Sequence, residues 1–209
     1  MSAKIIIATV LLLGDSQTGG EMGRQLELYY ENRGVPVQRE ASPGKGVKYF
    51  TRMTKLPVRS ESGIEDISMS MRQKERIQQA LKRGVQYIIV GSLGGNDAKK
   101  GCCTGRARAM LLARYKALFN QLCMHNAIVI FNGSPIADPK KWPRFDRRRA
   151  EVDRIQGEAS MGTCVIRNSM RGMRIPPDKD GYHYNRSAKL YVEYLMGMPG
   201  MKLPLGDKN

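Results

Sequence analysis

The sequence predicts an α/β fold, a three-layer α/β/α sandwich built around a mostly parallel, five-stranded sheet. Short apolar runs rich in β-branched residues alternate along the chain with longer amphipathic segments, and Gly-containing turns follow several of the runs. At 209 residues, 41% of them hydrophobic, the chain is long enough for one domain with a substantial core. Strands and helices that alternate in this way form a parallel sheet with helices on both faces.

The first strand is predicted in the apolar run at residues 5–13, which ends in a Gly-Asp-Ser-Gln-Thr turn at residues 14–18. An uncharged, β-branched run closed by Gly indicates a strand buried on both faces. A helix follows at residues 20–33, with Gly34 as its C-cap. Residues 35–37 are predicted as a second strand near a sheet edge, because the central Pro cannot donate a hydrogen bond to a neighbouring strand.

The later elements follow the same alternation. Residues 47–68 lack a clean period and are predicted to be irregular, with Pro57 and Gly63 as breakers. The domain is assigned to residues 1–197, and the tail at residues 198–209 is predicted to be loosely ordered. The remaining predicted helices cover residues 70–83, 106–124, 144–160 and 184–196, and the remaining strands cover residues 85–90, 127–131 and 163–166.

The chain is strongly basic. Its 35 Lys and Arg residues outnumber 19 Asp and Glu residues, and the net charge of +16 favours contact with a polyanion such as nucleic acid, an anionic glycan or a membrane surface. Residues 98–137 form either a positive rim around a binding site or an ordinary solvated helix face. That section has no acid, and its basic residues are Lys99, Lys100, Arg106, Arg108, Arg114 and Lys116.

The cysteines and histidines predict that the chain has no metal site. The four cysteines include no CxxC pair, and the two histidines lie far apart in the sequence. Adjacent Cys102 and Cys103 are poor disulfide partners, so we expect reduced thiols and an intracellular setting. No apolar stretch approaches the ~20 residues of a membrane span. No small-residue cleavage site follows the first apolar run, so we expect a protein of the cytoplasm or one carried in a virus particle.

Two segments contain the residues of a serine nucleophile and its base. Ser16 lies just past the carboxyl end of the first predicted strand, the end at which open α/β sheets bind ligands. Asp180 and His183 lie ahead of the last helix, at a spacing that lets the carboxylate orient the imidazole while the imidazole takes a proton. Plainer explanations remain open, because Ser16 can belong to a helix cap and Asp180 can be a turn residue beside a surface histidine.

Two further segments contain hydrogen-bond donors for a developing oxyanion. Asn96 follows the strand at residues 85–90, and Gly44 follows the second predicted strand. The absent side chain of Gly44 lets its backbone N–H approach a ligand, and the Asn96 amide can donate from its side chain. Both segments are also ordinary turn sequences. The order of the four blocks along the chain, Ser, Gly, Asn and then Asp with His, distinguishes the set from isolated turns.

With these blocks the chain resembles the SGNH hydrolases, also called GDSL-like lipases and esterases, over residues 14–195. Gln17 stands where the commonest family signature has Leu, and Gly46 is an alternative to Gly44 in the second block. The four blocks read Gly14-Asp15-Ser16, Gly44, Gly94-Gly95-Asn96-Asp97 and Asp180-Gly181-Tyr182-His183.

The resemblance implies a flavodoxin-like sandwich and a serine esterase that needs no cofactor. Ser16 would attack an ester carbonyl, His183 would take and return its proton, and Asp180 would orient the imidazole. Short loops and the absence of an apolar lid favour a short acyl group, such as acetyl on a carbohydrate. Hydrolysis and acyl transfer both remain open.

The same resemblance implies an oxyanion hole and its neighbours. Backbone N–H groups of Ser16 and Gly44, together with the Asn96 side chain, would hold the oxyanion. Substrate contacts are expected from Asp15, Gln17 and Asp97.

A basic binding or assembly protein, such as a structural component of a virus particle, is the alternative from another class. In that case the esterase site would be secondary or vestigial, and the basic surface would contact a polyanion or other virion proteins. Salt-sensitive binding of nucleic acid or anionic glycan without turnover would favour this alternative. The sequence leaves the oligomeric state open.

Overall fold

The computed structural model describes residues 9–54, 69–99 and 102–203, and within them the strands form one parallel sheet. The strands are β1 Val10–Gly14, β2 Val37–Ala41, β3 Tyr87–Ser92, β4 Ile128–Asn132 and β5 Ile166–Asn168. They pair in the order β2-β1-β3-β4-β5, which is the order of flavodoxin-like doubly wound sheets. The predicted α/β class and the five-stranded sheet are confirmed.

Helices cover both faces of this sheet. The helices are α1 Ser16–Gly19, α2 Glu21–Glu31, α3 Val47–Thr54, α4 Met69–Arg83, α5 Gly95–Lys99, α6 Gly105–Cys123, α7 Pro143–Ser160 and α8 Ala188–Met196. Residues of α3, α4, α6 and α7 form one buried cluster with the sheet, and residues of α2 and α8 form a second cluster. The two clusters give the three predicted layers.

Strand β1 shows why the first apolar run becomes the centre of the sheet. Side chains alternate between the two faces of a strand. Leu11 and Leu13 therefore enter the cluster with α3, α4, α6 and α7, while Val10 and Leu12 enter the cluster with α2 and α8. Every residue of β1 is buried. Residues 5–8 of the predicted strand lie outside the described residues.

Helix α3 corrects the prediction that residues from 47 onward are irregular. Its buried residues Val47, Phe50, Met53 and Thr54 recur every three or four positions, so one face of the helix enters the core. The helix ends before Pro57 and Gly63, which lie outside the described residues. A window over the whole of residues 47–68 hid this short helical period.

The short helices α1 and α5 also differ from the prediction, which placed turns after the first and third strands.

Strand β2 begins only at Val37, because Pro36 precedes the paired residues. It is an edge strand, as the sequence predicts. Strand β5 begins at Ile166, at the end of the predicted strand.

The cysteines correct the expectation of reduced thiols. Cys123 at the end of α6 and Cys164 ahead of β5 form a disulfide, with Cα atoms 5.7 Å apart. The structure also joins Cys102 to Cys103. The first pair is 41 residues apart in the sequence, so only the packing of α6 beside the sheet edge reveals it.

Part of the predicted tail is packed against the domain. Met201 and Leu203 are buried in the cluster of α2 and α8, and the Tyr30 hydroxyl donates a 2.7 Å hydrogen bond to the Met201 carbonyl. Residues 204–209 lie outside the described residues. Within the described ranges, no helix is long and apolar enough to cross a membrane.

Candidate active site

The loops that follow β1, β2 and β3 are hydrogen-bonded to one another at the carboxyl edge of the sheet. The Ser42 N–H donates to the Gly14 carbonyl at 2.8 Å, and the Asp15 N–H donates to the Ser92 carbonyl at 3.1 Å. These bonds continue the pairing of β1 with both neighbours beyond the strand ends. The sheet therefore brings the first three sequence blocks to one edge.

Ser16 is the first residue of α1, directly after β1. The Asp15 carboxylate caps this helix by accepting a 3.0 Å hydrogen bond from the Gln17 N–H. At Gly14 a Cβ atom would lie 2.0 Å from the Thr18 hydroxyl oxygen and 2.9 Å from the Ser92 carbonyl oxygen. Any larger residue at position 14 would push α1 away from β3, so the first Gly of the block is required by packing.

The loop between β5 and α8 brings His183 to Ser16. The imidazole Nε2 lies 3.2 Å from the Ser16 Oγ, and Nδ1 lies 2.5 Å from the Asp180 Oδ2. The other carboxylate oxygen of Asp180 accepts hydrogen bonds of 2.9 Å from the N–H groups of Tyr182 and His183. The structure thus brings the three predicted catalytic residues into one hydrogen-bonded row.

These hydrogen bonds keep Asp180 ionised. Partial burial raises the pKa of its carboxyl, but the His183 ring and the N–H groups of Tyr182 and His183 lower the pKa to about 2. An ionised carboxylate can hold a proton on Nδ1 and leave Nε2 to accept one from Ser16.

Two contacts that the sequence analysis missed hold the loop of Asp180 and His183 in place. The Gln17 side-chain amide donates a 2.8 Å hydrogen bond to the Tyr182 carbonyl, which ties α1 to this loop. The Trp142 indole Nε1–H donates a 3.0 Å hydrogen bond to the Asp180 carbonyl. These bonds span 165 and 38 residues of sequence, so no local pattern signals them.

Aromatic packing against the core supports the same loop. Tyr182 is buried and packs edge-on against Phe145 of α7, with ring centroids 5.3 Å apart. The His183 ring lies 5.0 Å from the Tyr182 ring. The buried Tyr182 therefore anchors the loop in the core while its neighbour His183 stays partly exposed.

The loop after β2 is a tight turn that begins at Ser42. The Lys45 N–H donates to the Ser42 carbonyl at 3.2 Å, and Gly44 has a φ of +74°, as the third residue of a type II turn requires. No hydrogen bond to another described residue uses the N–H of Gly44 or of Gly46. The structure keeps both glycines available as donors.

Asn96 connects the third block to this turn. It lies in α5, is buried, and donates a 3.2 Å hydrogen bond from Nδ2 to the Lys45 carbonyl. An amide NH₂ has two hydrogens, so this bond engages one and leaves the second for a ligand.

The residues predicted to contact substrate make hydrogen bonds within the protein. The Asp97 carboxylate accepts a 2.8 Å hydrogen bond from the Tyr115 hydroxyl and a 3.1 Å hydrogen bond from the Val47 N–H. Asp15 caps α1, and Gln17 binds the Tyr182 carbonyl. Substrate binding by Asp15, Gln17 and Asp97 stays a prediction, whereas their contacts position the loops of the site.

Asp15 is the most unusual titratable group at this edge. Its side chain is wholly buried, and burial raises the pKa of the carboxyl to about 7, although the hydrogen bond from the Gln17 N–H opposes the shift. A buried carboxyl of this kind is neutral at mildly acidic pH.

Among the described residues, no group of three or more His, Cys, Asp or Glu side chains is arranged to hold a metal ion.

The fold and this row of side chains define a class of protein: an α/β/α sandwich with a Ser-His-Asp arrangement at the carboxyl edge of a parallel sheet. No family model matches the sequence, and a search of curated proteins finds no match. Several solved structures do match.

The carbohydrate acetylesterase Est24 from Sinorhizobium meliloti is similar with a TM-score of 0.58 at 15% identity, over 90% of this chain and 96% of Est24. TesA is similar with a TM-score of 0.55 at 16% identity, over 90% of this chain and 97% of TesA. Axe2-W215I, an acetyl xylan esterase from Geobacillus stearothermophilus, is similar with a TM-score of 0.55 at 12% identity, over 88% of this chain and 90% of Axe2-W215I. At these identities the likeness establishes a shared fold.

Proposed function

We propose that this protein is a serine esterase of the SGNH type that removes short acyl groups, with acetyl on a carbohydrate as the preferred case. The observation that carries the proposal is the row in which the Ser16 Oγ lies 3.2 Å from His183 and His183 lies 2.5 Å from Asp180. Nucleophile, base and orienting carboxylate are the three parts that an acyl-transfer site requires.

In the first half of the reaction, the Ser16 Oγ attacks the ester carbonyl while His183 Nε2 takes the hydroxyl proton. The tetrahedral intermediate collapses when its C–O bond to the alcohol breaks and His183 returns the proton to the leaving alcohol. In the second half, His183 takes a proton from water, the hydroxide attacks the acyl-serine, and Ser16 leaves with the proton. Asp180 stabilises the imidazolium in both halves.

The negative charge on the carbonyl oxygen would be stabilised by the backbone N–H groups of Ser16 and Gly44 and by the Asn96 side chain. The Gly44 N–H has no partner among the described residues, and Asn96 has a second amide hydrogen; both support this assignment. Donors of this kind act on charge that develops only in the transition state, so each contributes roughly 3 kcal/mol, about a hundredfold or more in rate.

The substrate class rests on the structural neighbours. Est24 is a carbohydrate acetylesterase and Axe2 is an acetyl xylan esterase, and this chain shares their fold over most of its length. Because one fold supports many substrates, the acyl group and the sugar are part of the proposal.

Hydrolysis of a chromogenic acetate ester tests the reaction. We expect the wild type to turn over, Ser16→Ala to lose activity, and Asn96→Ala to slow by about a hundredfold without unfolding. Ser160→Ala is the matched control, because Ser160 lies at the far end of α7 from the catalytic loop and should retain full activity. Equal turnover by the wild type and Ser16→Ala would contradict the proposal, and no turnover by either would favour the binding-protein alternative.

A further inference from the structure

Three exposed basic residues form a line along α3 that begins at the turn of Gly44. Lys45 lies in that turn, and Lys48 and Arg52 follow three and seven positions later, on the face of α3 opposite its buried residues. We call Lys45, Lys48 and Arg52 the α3 basic stripe. The helical rise of 1.5 Å per residue places Lys48 and Arg52 about 6 Å apart along the axis.

Ion pairs among the described residues do not include any residue of the α3 basic stripe. Lys45 instead lies over the Tyr49 ring, with its Nζ 5.6 Å from the ring centroid. Several arginines elsewhere on the described surface are paired with acidic residues. Arg108 bonds to Glu151 and Glu158, and Arg76 bonds to Glu40. The stripe differs from these paired arginines in having no acidic partner among the described residues.

Helix α6 is the neighbour of α3 on this face of the sheet. It packs beside α3, where the Thr51 hydroxyl bonds to the Arg114 carbonyl at 3.4 Å. Neither helix contains an acidic residue, and Arg106 and Lys116 of α6 are exposed. Like charges held on adjacent helices repel one another, so a surface of this kind is stabilised by a bound anion.

The stripe is joined directly to the catalytic edge. The Lys45 carbonyl accepts the hydrogen bond from the Asn96 side chain, and the first N–H of α3, at Val47, donates to Asp97 of the same block. A chain that follows the stripe toward its N-terminal end therefore arrives at the turn of Gly44, beside the nucleophile loop.

We propose that the α3 basic stripe binds a negatively charged polysaccharide and guides one of its ester-bearing sugars to Ser16. This inference rests on the proposed esterase function and narrows its substrate to an acylated anionic glycan. A glycan fits better than single-stranded nucleic acid, which is held by exposed aromatic side chains on which bases stack. Tyr49, which follows Lys48 in α3, is half-buried and packs against Phe50.

The double variant Lys48→Glu, Arg52→Glu tests this surface. Its matched control is Lys82→Glu, Arg83→Glu, which makes the same change in net charge at the end of α4. Arg83 lines a cavity with Val10 and Val37, the first residues of β1 and β2, so the control lies at the opposite edge of the sheet. Thermal unfolding of both variants shows whether they are folded.

The measured quantity is kcat/KM on O-acetylated polygalacturonate divided by kcat/KM on a small acetate ester. We expect this ratio to fall by about tenfold in the stripe variant and to stay at the wild-type value in the control. Added salt should lower the wild-type ratio, and acetylated xylan, a neutral polymer, should show neither effect. Equal ratios in the stripe variant and the control, or no wild-type preference for the anionic polymer, would overturn the proposal.

Binding of non-acetylated polygalacturonate by Ser16→Ala separates this inference from the esterase proposal. Salt-sensitive binding that the stripe variant loses, in a protein whose wild type hydrolyses no ester, would contradict the esterase function and support the surface. If the wild type hydrolyses esters but the polymer does not bind, the surface proposal is wrong and the esterase stands. Preferential binding of duplex DNA over polygalacturonate would overturn the glycan assignment.

Discussion

The Gln17 side chain donates a 2.8 Å hydrogen bond to the Tyr182 carbonyl, and these two residues are the chain neighbours of Ser16 and His183. The bond therefore ties α1, which carries Ser16, to the loop that carries His183. It is buried, so a variant without the Gln17 amide would lose a hydrogen bond that is shielded from water.

Gln17→Leu is expected to lower kcat on a chromogenic acetate about tenfold, because loss of a buried hydrogen bond costs about 1–3 kcal/mol and loosens the catalytic loop. KM should change little. Gln25→Leu is the control, since among the described residues the Gln25 amide bonds to Glu21 on the same helix. Wild-type kcat in Gln17→Leu would show that the bond does not position His183.

Trp142 should report on the state of the site. It is the only Trp in the sequence, and its indole bonds to the carbonyl of Asp180. Reaction of Ser16 with a phosphonate expels the leaving group of the reagent and forms a bulky, polar phosphonate ester beside His183, so we expect a shift in Trp emission on labelling. Emission identical before and after complete labelling would mean that Trp142 does not sense the catalytic loop.

Trp142→Phe removes the donor and should reduce kcat severalfold while the protein stays folded, an effect in line with the 0.5–1.5 kcal/mol of a typical hydrogen bond.

The buried carboxyl of Asp15 predicts a pH-dependent stability. Its folded-state pKa of about 7 lies above the ordinary value of 3.8, so the neutral form favours the fold. The stability that it contributes is fully present below pH 3.8 and is lost as the pH rises through 7. Asp15→Asn cannot ionise but keeps the oxygen that caps Gln17.

We therefore expect the Tm of Asp15→Asn to rise relative to that of the wild type between pH 4 and pH 7.5. The corresponding change in the difference between their free energies of unfolding is on the order of 4 kcal/mol. Asp146→Asn, on the partly exposed surface of α7, is the matched control and should show no such trend. If the Tm values of Asp15→Asn and the wild type change with pH in parallel, ionisation of Asp15 costs little free energy of unfolding.

The disulfide between Cys123 and Cys164 is expected to stabilise the fold. It closes a loop of 41 residues, for which the chain-entropy estimate is about 4 kcal/mol. Cys123→Ser should lower Tm by several degrees, and reductant should lower the Tm of the wild type by more than it lowers that of the variant. A wild-type Tm that reductant does not change would show that the bond is absent or contributes nothing.

The sequence predicted the sheet and the residues of the Ser-His-Asp row, because both leave local marks. An uncharged run such as β1 signals a buried strand, and Ser16, Asn96 and the Asp180–His183 pair each follow a strand at the edge where α/β sheets bind ligands. The strand order was not needed to predict that these residues lie close together, since the carboxyl ends of all parallel strands lie at the same edge of the sheet.

The contacts that complete the site were not predictable in the same way. The Gln17 amide meets Tyr182 across 165 residues, and Trp142 reaches Asp180 across 38, so their partners follow from packing of whole elements. Helix α3 was missed because its eight residues are too few to dominate a longer window. The disulfide between Cys123 and Cys164 was not predictable, because its two cysteines are 41 residues apart and meet only when α6 packs beside β5.

Labelling with a serine-reactive phosphonate tests the central claim most directly, because it requires an activated hydroxyl and identifies the residue that bears it. We predict one equivalent of label on the wild type, mapped by mass spectrometry to the peptide containing Ser16, with labelling abolished in Ser16→Ala and strongly slowed in His183→Gln. A label on another serine, or equal labelling of the wild type and Ser16→Ala, would contradict the assignment of Ser16 as the nucleophile.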